Sequence, residues 1–536
     1  MKIVQMIVAL FGGLGLFLYG MKMMGDGLEN AAGKKLKSIF KKITSNPIKG
    51  VLTGALATAI IQSSSATTVM VVGFVNARLM DLFQAAAVIM GANIGTTITA
   101  QMITLDVEEL IPVFLGIGAL IVLFTKRKNI KEIGNIVLGF GILFLGMHLM
   151  KEAMHPLRSS QAFTNLLSTL EGNIPLGILA GLAITAIVQS SSATTSMLIA
   201  LAATGILNLH TAVPIILGCN IGTCVTALIS SVGTSKNAKR AALIHLMFNI
   251  IGALIFIPLI KFTPVVDWIA SSSNLADKQI ANFHTFFNVV NTVIFVPFIK
   301  VFVNVVNKLI PGEDERDEYG VKYIDERLLE TPVIAVGQAR QEVLRMTRLA
   351  RDNYKLSIKA FKENDNNIIE RVYKNEKLIN LLEDEITKFL VELSKSELLE
   401  NQTETVTSMF HVVNDAERIG DHAENIVDLT SEKIQKKLQF SKDAMEELEG
   451  MYKYTLNAID MSIEVFNTRD KSKVKEVKAI EERIDVLEKE LRASHIRRLN
   501  QGICNATVGA SFLDIISNLE RIGDHAMNIA ESIYNE

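Results

Sequence analysis

The spacing of apolar and polar positions divides this chain into two parts. Over residues 1–310 apolar residues run on in stretches of about 20, the length that crosses a bilayer as a helix, and charges fall in short breaks between them. Full spans are predicted over 4–24, 82–105, 110–125, 132–150, 210–233, 241–260 and 283–307. Two further apolar segments, 50–78 and 174–207, are interrupted midway by Gln, Ser and Thr. The first returns to a polar surface at Arg78 and Asp81, so each is predicted as a re-entrant helical hairpin. Beyond residue 311 apolar positions recur at helical spacing, without the two-residue alternation of a strand. The predicted fold is all-α: a polytopic membrane domain followed by a soluble helical bundle.

The interruptions repeat. Gln62-Ser63-Ser64-Ser65-Ala66-Thr67-Thr68 returns unchanged as Gln189-Ser190-Ser191-Ser192-Ala193-Thr194-Thr195, 127 residues on. Gly91-Ala92-Asn93-Ile94-Gly95-Thr96-Thr97 matches Gly218-Cys219-Asn220-Ile221-Gly222-Thr223-Cys224 at the same offset, as do Gly50 and Gly54 with Gly177 and Gly181. Phe17-Leu18-Tyr19-Gly20-Met21 resembles Phe144-Leu145-Gly146-Met147 at an offset of 126 for the glycine. A near-constant offset over several landmarks marks an internal repeat, one copy over about 1–128 and the other over about 129–310. Because it recurs internally and lacks a clear cleavage site, the apolar N-terminus is predicted to be a mature span and not a signal peptide.

Charge orients the pieces. Basic breaks lie at Lys34 to Lys42, Lys126 to Lys131, and Lys236, Lys239 and Arg240, and acidic Asp106, Glu108 and Glu109 lie between them. The positive-inside rule then makes the two copies run in opposite senses, with the first hairpin entering from inside and the second from outside. Residues 1–310 hold 22 Lys+Arg against 11 Asp+Glu, and residues 311–536 hold 32 against 45. The acidic second part falls in the cytoplasm and argues against a nucleic-acid partner. Cys219, Cys224 and Cys504 have no metal or redox spacing and are expected to be packing residues.

The polar strings carry no ionisable side chain. Residues 50–77, 82–105 and 172–235 contain no Asp, Glu, Lys or Arg. Their chemistry is hydroxyls, Gln and Asn amides, and backbone freed at helix breaks. A helix that begins at a serine cluster presents unpaired N–H groups and a positive dipole end, which suits an oxyanion. Carbonyl, hydroxyl and amide oxygens suit a hard cation such as Na⁺. Holding an anion in low dielectric without a basic side chain is costly, so a co-bound cation gives a physical reason for coupling.

The paired Gln-Ser-Ser-Ser strings and paired Gly-x-Asn-Ile-Gly-Thr segments resemble the type II sodium–phosphate cotransporter family over roughly residues 1–308. The resemblance implies Na⁺-driven symport of inorganic phosphate through an inverted-repeat core. By position, Gln62, Ser63, Ser64, Ser65, Gln189, Ser190, Ser191 and Ser192 would line phosphate and Na⁺ sites, with Thr67, Thr68, Thr194, Thr195, Asn93 and Asn220 supporting them. Cys224 stands where the first copy has Thr97, so a hydroxyl is lost there. Some family members are described as exporters.

A charged linker is predicted over 311–334 and a helical domain over 335–536. There Glu417-Arg418-Ile419-Gly420-Asp421-His422-Ala423-Glu424-Asn425-Ile426 returns as Glu520-Arg521-Ile522-Gly523-Asp524-His525-Ala526-Met527-Asn528-Ile529, nine of ten positions matching at an offset of 103. Two three-helix units fit the length. Glu417 with Asp421, Glu520 with Asp524, and Glu481 with Asp485 are spaced i, i+4, so their carboxylates share a helix face and suit a hard or borderline metal. Glu376 occupies the position of Glu481, and Asn380 that of Asp485. His422 and His525 point about 100° away and are expected to be second-tier or surface groups. This half is similar to PhoU, the helical regulator of phosphate uptake. That implies a regulatory domain with divalent or iron-type metal clusters, one of them weakened by Asn380, and it leaves room for a homo-oligomer through the cytoplasmic domain.

No catalytic constellation and no Gly-rich phosphate loop with Lys appears. The expected function is Na⁺-coupled phosphate symport in a bacterial inner membrane. A phosphate exporter and a membrane-tethered signalling scaffold are the alternatives.

Overall fold

In the computed structural model, residues 2–41, 46–77, 79–171, 173–312, 320–396, 398, 400–504 and 506–535 are described. Lys42, Arg78 and linker residues 313–319 lie outside them. The fold is all-helical, with no strand among the described residues. It divides into two compact units, Met1–Glu315 and Arg316–Glu536.

The first unit runs α1 (Lys2–Lys41), α2 (Pro47–Ile61), α3 (Ser64–Asn76), α4 (Leu82–Gly95), α5 (Thr97–Ile103), α6 (Ile111–Phe124), α7 (Lys128–Met154), α8 (Gln161–Glu171), α9 (Ile174–Val188), α10 (Ser191–Ala203), α11 (Leu209–Ser230), α12 (Lys236–Phe262), α13 (Val265–Ala270), α14 (Ala276–Phe295) and α15 (Ile299–Leu309). Among the described residues, six stretches are long and apolar enough to cross a bilayer: Val4–Ala32, Leu82–Ile103, Ile130–Leu157, Leu209–Ser230, Lys236–Phe262 and Ala276–Leu309. The predicted span over 110–125 forms only the 14-residue α6, about 21 Å at 1.5 Å per residue and shorter than the ~30 Å apolar core of a bilayer.

The duplication extends to helix boundaries. α2 and α9 are 15-residue helices starting 127 residues apart, and α3 and α10 are 13-residue helices at the same offset. Packing repeats with them. A Cβ on Gly54 would collide with the Val88 carbonyl oxygen, and one on Gly181 with the Ile215 carbonyl oxygen. Gly91 meets the Val51 carbonyl, and Gly218 that of Ile178. Glycine thus lets α2 lie backbone to backbone on α4, and α9 on α11, as small residues do between membrane helices. α1 and α7 are antiparallel: Gly13 packs on Gly146 and Met150, Gly20 on Gly139 and Leu143, and Gly27 on Glu132 and Ile136.

The second unit holds α16 (Pro332–Glu363), α17 (Asn366–Ser394), α18 (Glu400–Gln435), α19 (Lys442–Thr468), α20 (Val474–Asn500) and α21 (Ala506–Glu531). α16 to α18 pack on one another, as do α19 to α21. The repeated decapeptide lies on α18 and α21. Its apolar positions, Ile419, Ala423 and Ile426 with Ile522, Ala526 and Ile529, are fully buried. The histidines, expected to be second-tier or surface groups, join α18 to α21. His422 Nδ1 lies 2.8 Å from Asn518 Oδ1, and His525 Nδ1 lies 2.9 Å from Asp415 Oδ1. Asp415 and Asn518 are themselves 103 residues apart, and the two imidazole rings lie with centroids 5.6 Å apart, tilted by 31°.

Gly54→Val should cost about 3 kcal/mol or more, because backbone atoms cannot yield as side chains do. Gly12, where an added Cβ meets nothing within 4 Å, is the control. Size-exclusion profiles and melting curves of the detergent-purified chain should show loss of the folded peak for Gly54→Val and parental behaviour for Gly12→Ala.

Candidate functional site

Each polar string is a helix break of the same shape. Gln62 and Gln189 close α2 and α9 in left-handed conformation, at φ 60° and 58°. Ser63 and Ser190 follow in extended conformation and cap α3 and α10, accepting from Ala66 N and Ala193 N at 3.1 and 3.2 Å. Amides, hydroxyls and two helix N-termini are thereby released inside an apolar unit.

The structure brings the two breaks together. Ser64 Oγ donates to Thr96 Oγ1 at 3.4 Å, and Thr96 Oγ1 lies 3.2 Å from Ser192 Oγ. Ser64 opens α3 and Ser192 lies in the first turn of α10, so one threonine bridges the starts of both helices. Thr96 itself sits at the junction of α4 and α5, its backbone still helical. The Gly-x-Asn-Ile-Gly-Thr match contained it, yet sequence reasoning singled out only its asparagine. The matching Thr223 donates to Cys219 O inside an unbroken α11.

Other predicted residues are placed as follows. Thr67 and Thr68 donate back to Ser63 O and Ser64 O, and Thr67 also accepts from Thr58. Thr194 donates to Ser190 O, whereas the buried Thr195 Oγ1 has no partner. Ser65 is half-buried and Ser191 buried. Gln62 is buried and accepts from Thr99 Oγ1 at 2.9 Å. Gln189, in an identical string, is exposed, and Thr226, which matches Thr99, leaves its buried hydroxyl unpartnered. Asn93 donates to Ile89 O, and Asn220 Oδ1 lies 3.3 Å from His284 Nε2.

Among the described residues of the second unit two carboxylate triads form, Glu376 with Asp421 and Glu424, and Glu481 with Asp485 and Asp524, each with oxygens within 4.8 Å of one another. Asn380 brings no acid to the first triad, whose third member is Glu424. In the second, Met527 stands at that position and Asp485 supplies the acid. Glu417 and Glu520 stand beside the triads: Glu417 is raised by burial, then by Asp421, and Glu520 by burial, then by Asp524. Both oxygens of Glu376 are buried without a protein partner. Burial, and then the charges of Asp421, Glu424 and Glu417, push its carboxyl up to about 8. Gly420 admits it, since a Cβ there would sit 2.5 Å from Glu376 Oε2. A buried, unpaired carboxylate among other acids fits a hard cation.

The first unit carries the decisive likeness. The model for the Na⁺/Pi-cotransporter matches residues 16–152 and 154–266. The chain belongs to the Na⁺/Pi-cotransporter family. A PhoU domain matches 343–430 and 448–533. YqeW of Bacillus subtilis, an uncharacterized protein, is 33% identical over 297 residues, 55% of this chain and 96% of its own length. YjbB of Salmonella typhimurium, named as an inorganic phosphate export protein, is 24% identical over 99% of this chain and 98% of its own. The sodium-dependent phosphate transport protein 2A of Mus musculus is 22% identical over 46% of this chain and 59% of its own. With its apolar helices, this family member is a multi-pass membrane protein.

An ordinary glutamate ionises near 4.5 and Glu376 near 8. Between those values the folded chain binds the additional proton, so stability falls as pH rises through that window. In chelator, melting temperature followed from pH about 5 to about 9 should fall more steeply for the parent than for Glu376→Gln. An added divalent cation should raise the parent's melting temperature at the upper end and leave the variant's unchanged. Equal slopes would remove Glu376 from this role.

Proposed function

We propose that this chain couples Na⁺ to movement of inorganic phosphate across a membrane, at a site between the two hairpin tips. The Ser64–Thr96–Ser192 bridge carries this reading. Two helix N-termini converge on one point, and their free N–H groups and dipoles favour a tetrahedral oxyanion without a basic side chain. The ends of α2 and α9 offer carbonyls, and the Gln, Ser and Thr oxygens add ligands for Na⁺. Sodium would offset the anion's charge where the dielectric is low. Gln62, Ser63 to Ser65, Gln189 and Ser190 to Ser192 would be the first ligands. Thr67, Thr68, Thr194, Thr195, Asn93 and Asn220 would hold them in place.

The antiparallel α1 and α7 support inverted repeats, and the matched helix–break–helix pairs support two re-entrant hairpins. The positive-inside bias supports a cytoplasmic second unit. That unit would regulate transport, its two triads taking up cations. YjbB, matched over 99% of this chain and named for export, favours a second reading in which the physiological direction is outward.

Radiolabelled phosphate uptake into proteoliposomes should require Na⁺ and fail when choline replaces it. Gln189→Ala should reduce that flux by about 100-fold, a loss of ~3 kcal/mol from the loaded site, while the purified variant elutes as the parent does. Sodium-independent flux, or full flux in the variant, would contradict the proposal.

Removing residues 321–536 should leave basal Na⁺-dependent flux and abolish its dependence on cytoplasmic-side divalent cations. A truncated chain that folds but carries no phosphate would contradict the division of labour. Direction is read in cells, where expression lowers total phosphate for an exporter and raises it for an importer.

A further inference from the structure

The first unit holds another duplicated pattern. His245-Leu246-Met247-Phe248-Asn249 on α12 and His284-Thr285-Phe286-Phe287-Asn288 on α14 share His-x-x-Phe-Asn. Both histidines are 1% exposed and both asparagines 0%. Local geometry is the same, each Asn Nδ2 donating to the carbonyl of its own motif's histidine, at 3.1 and 2.9 Å. The two helices are antiparallel, with Phe248 against Phe295 and Phe256 against Phe287. α12 packs on α3, α4 and α11, and α14 on α10, α11, α4 and α5. Each helix therefore serves one hairpin as the other serves its counterpart.

Their contacts are unequal. His284 Nε2 lies 3.3 Å from Asn220 Oδ1. That oxygen can only accept, so Nε2 carries the proton. Asn249 Nδ2 donates to Cys224 Sγ at 3.3 Å. Both contacts fall on α11. The counterparts by repeat would join His245 to Asn93 and Asn288 to Thr97, on α4 and α5. Among the described residues neither forms: both ring nitrogens of His245 are buried without a partner, and Asn288 Nδ2 donates to the His284 carbonyl and not to Thr97. Thr97 gives its hydroxyl to Ile94 O. Leaving such groups unpaired costs about 1–3 kcal/mol each. An inequality of opposite sense divides Gln62, which holds Thr99, from Gln189, which leaves Thr226 alone.

We propose that His245 and His284 are a matched pair of positioning residues that grip the asparagine of the duplicated Asn-Ile-Gly-Thr segment one at a time, the grip passing from Asn220 to Asn93 as the carrier changes the side to which it opens. This rests on the transport reading above. In the arrangement described here both contacts are made to α11 and neither counterpart is made to α4 or α5. In the opposite arrangement His245 holds Asn93, and His284 is released. Neither histidine need touch phosphate or Na⁺; each sets where an asparagine stands.

His245 discriminates, because it has no partner to lose in the arrangement described here. His245→Phe, which fills the space without a donor, should lower the rate of Na⁺-driven phosphate flux by about ten-fold or more, as expected for losing one hydrogen bond made in only part of the cycle. Equilibrium binding of phosphate in the presence of Na⁺ should change by less than about three-fold. His245→Gln, which restores an N–H donor, should recover most of the flux. Parental flux in His245→Phe, or an equal loss of binding and flux, would overturn the inference. Should His245→Phe fail to elute as a folded chain, proximity is tested in a serine-for-cysteine background. There the pair His245→Cys with Asn93→Cys should cross-link under mild oxidant, and absence of that cross-link overturns the inference. Absence of Na⁺-dependent flux in the parent would instead overturn the transport reading itself.

Discussion

A helix that begins inside an apolar unit leaves N–H groups without partners, and in low dielectric that debt cannot be left open. α3 and α10 both begin this way. Capping by Ser63 and Ser190 settles one N–H apiece, and Thr96 ties the two starts together. Under the proposed function, a tetrahedral oxyanion is the ligand that the remaining N–H groups of these two starts would favour. The glycines on α2, α4, α9 and α11 matter because they let the supporting helices approach backbone to backbone and hold the breaks in place.

The second unit meets a similar electrostatic constraint by different means. Its repeated decapeptide is four devices in one segment. Ile and Ala fill the core, Gly420 makes room for Glu376, the acids gather into triads, and His with Asn joins α18 to α21. The joining contact explains why histidine recurs beside each aspartate without entering a triad. Acid content is balanced between halves by exchange of position: Glu424 answers for Asn380, and Asp485 for Met527.

Much of this was legible in the sequence because it depended on repetition and local rules. The serine strings and the 127-residue offset located the two helix breaks. What was not legible depended on which copy does what. Identical strings put Gln62 against Thr99 and leave Gln189 exposed, since tertiary context, not local sequence, distinguishes them. Thr96 was hidden because its neighbour Asn93 has the more distinctive chemistry. Glu424 was hidden because a repeat comparison discounts a position where the other copy has Met527. Under the transport proposal, inequality between copies is what a carrier held in one of two arrangements would show.

The most direct measurement is a density map of the chain loaded with sodium and phosphate in a lipid disc. Tetrahedral density within hydrogen-bond reach of the first N–H groups of both α3 and α10, beside Thr96, is the predicted result. Hairpin tips that stand apart or face lipid, or phosphate bound elsewhere with that point vacant, would contradict the account.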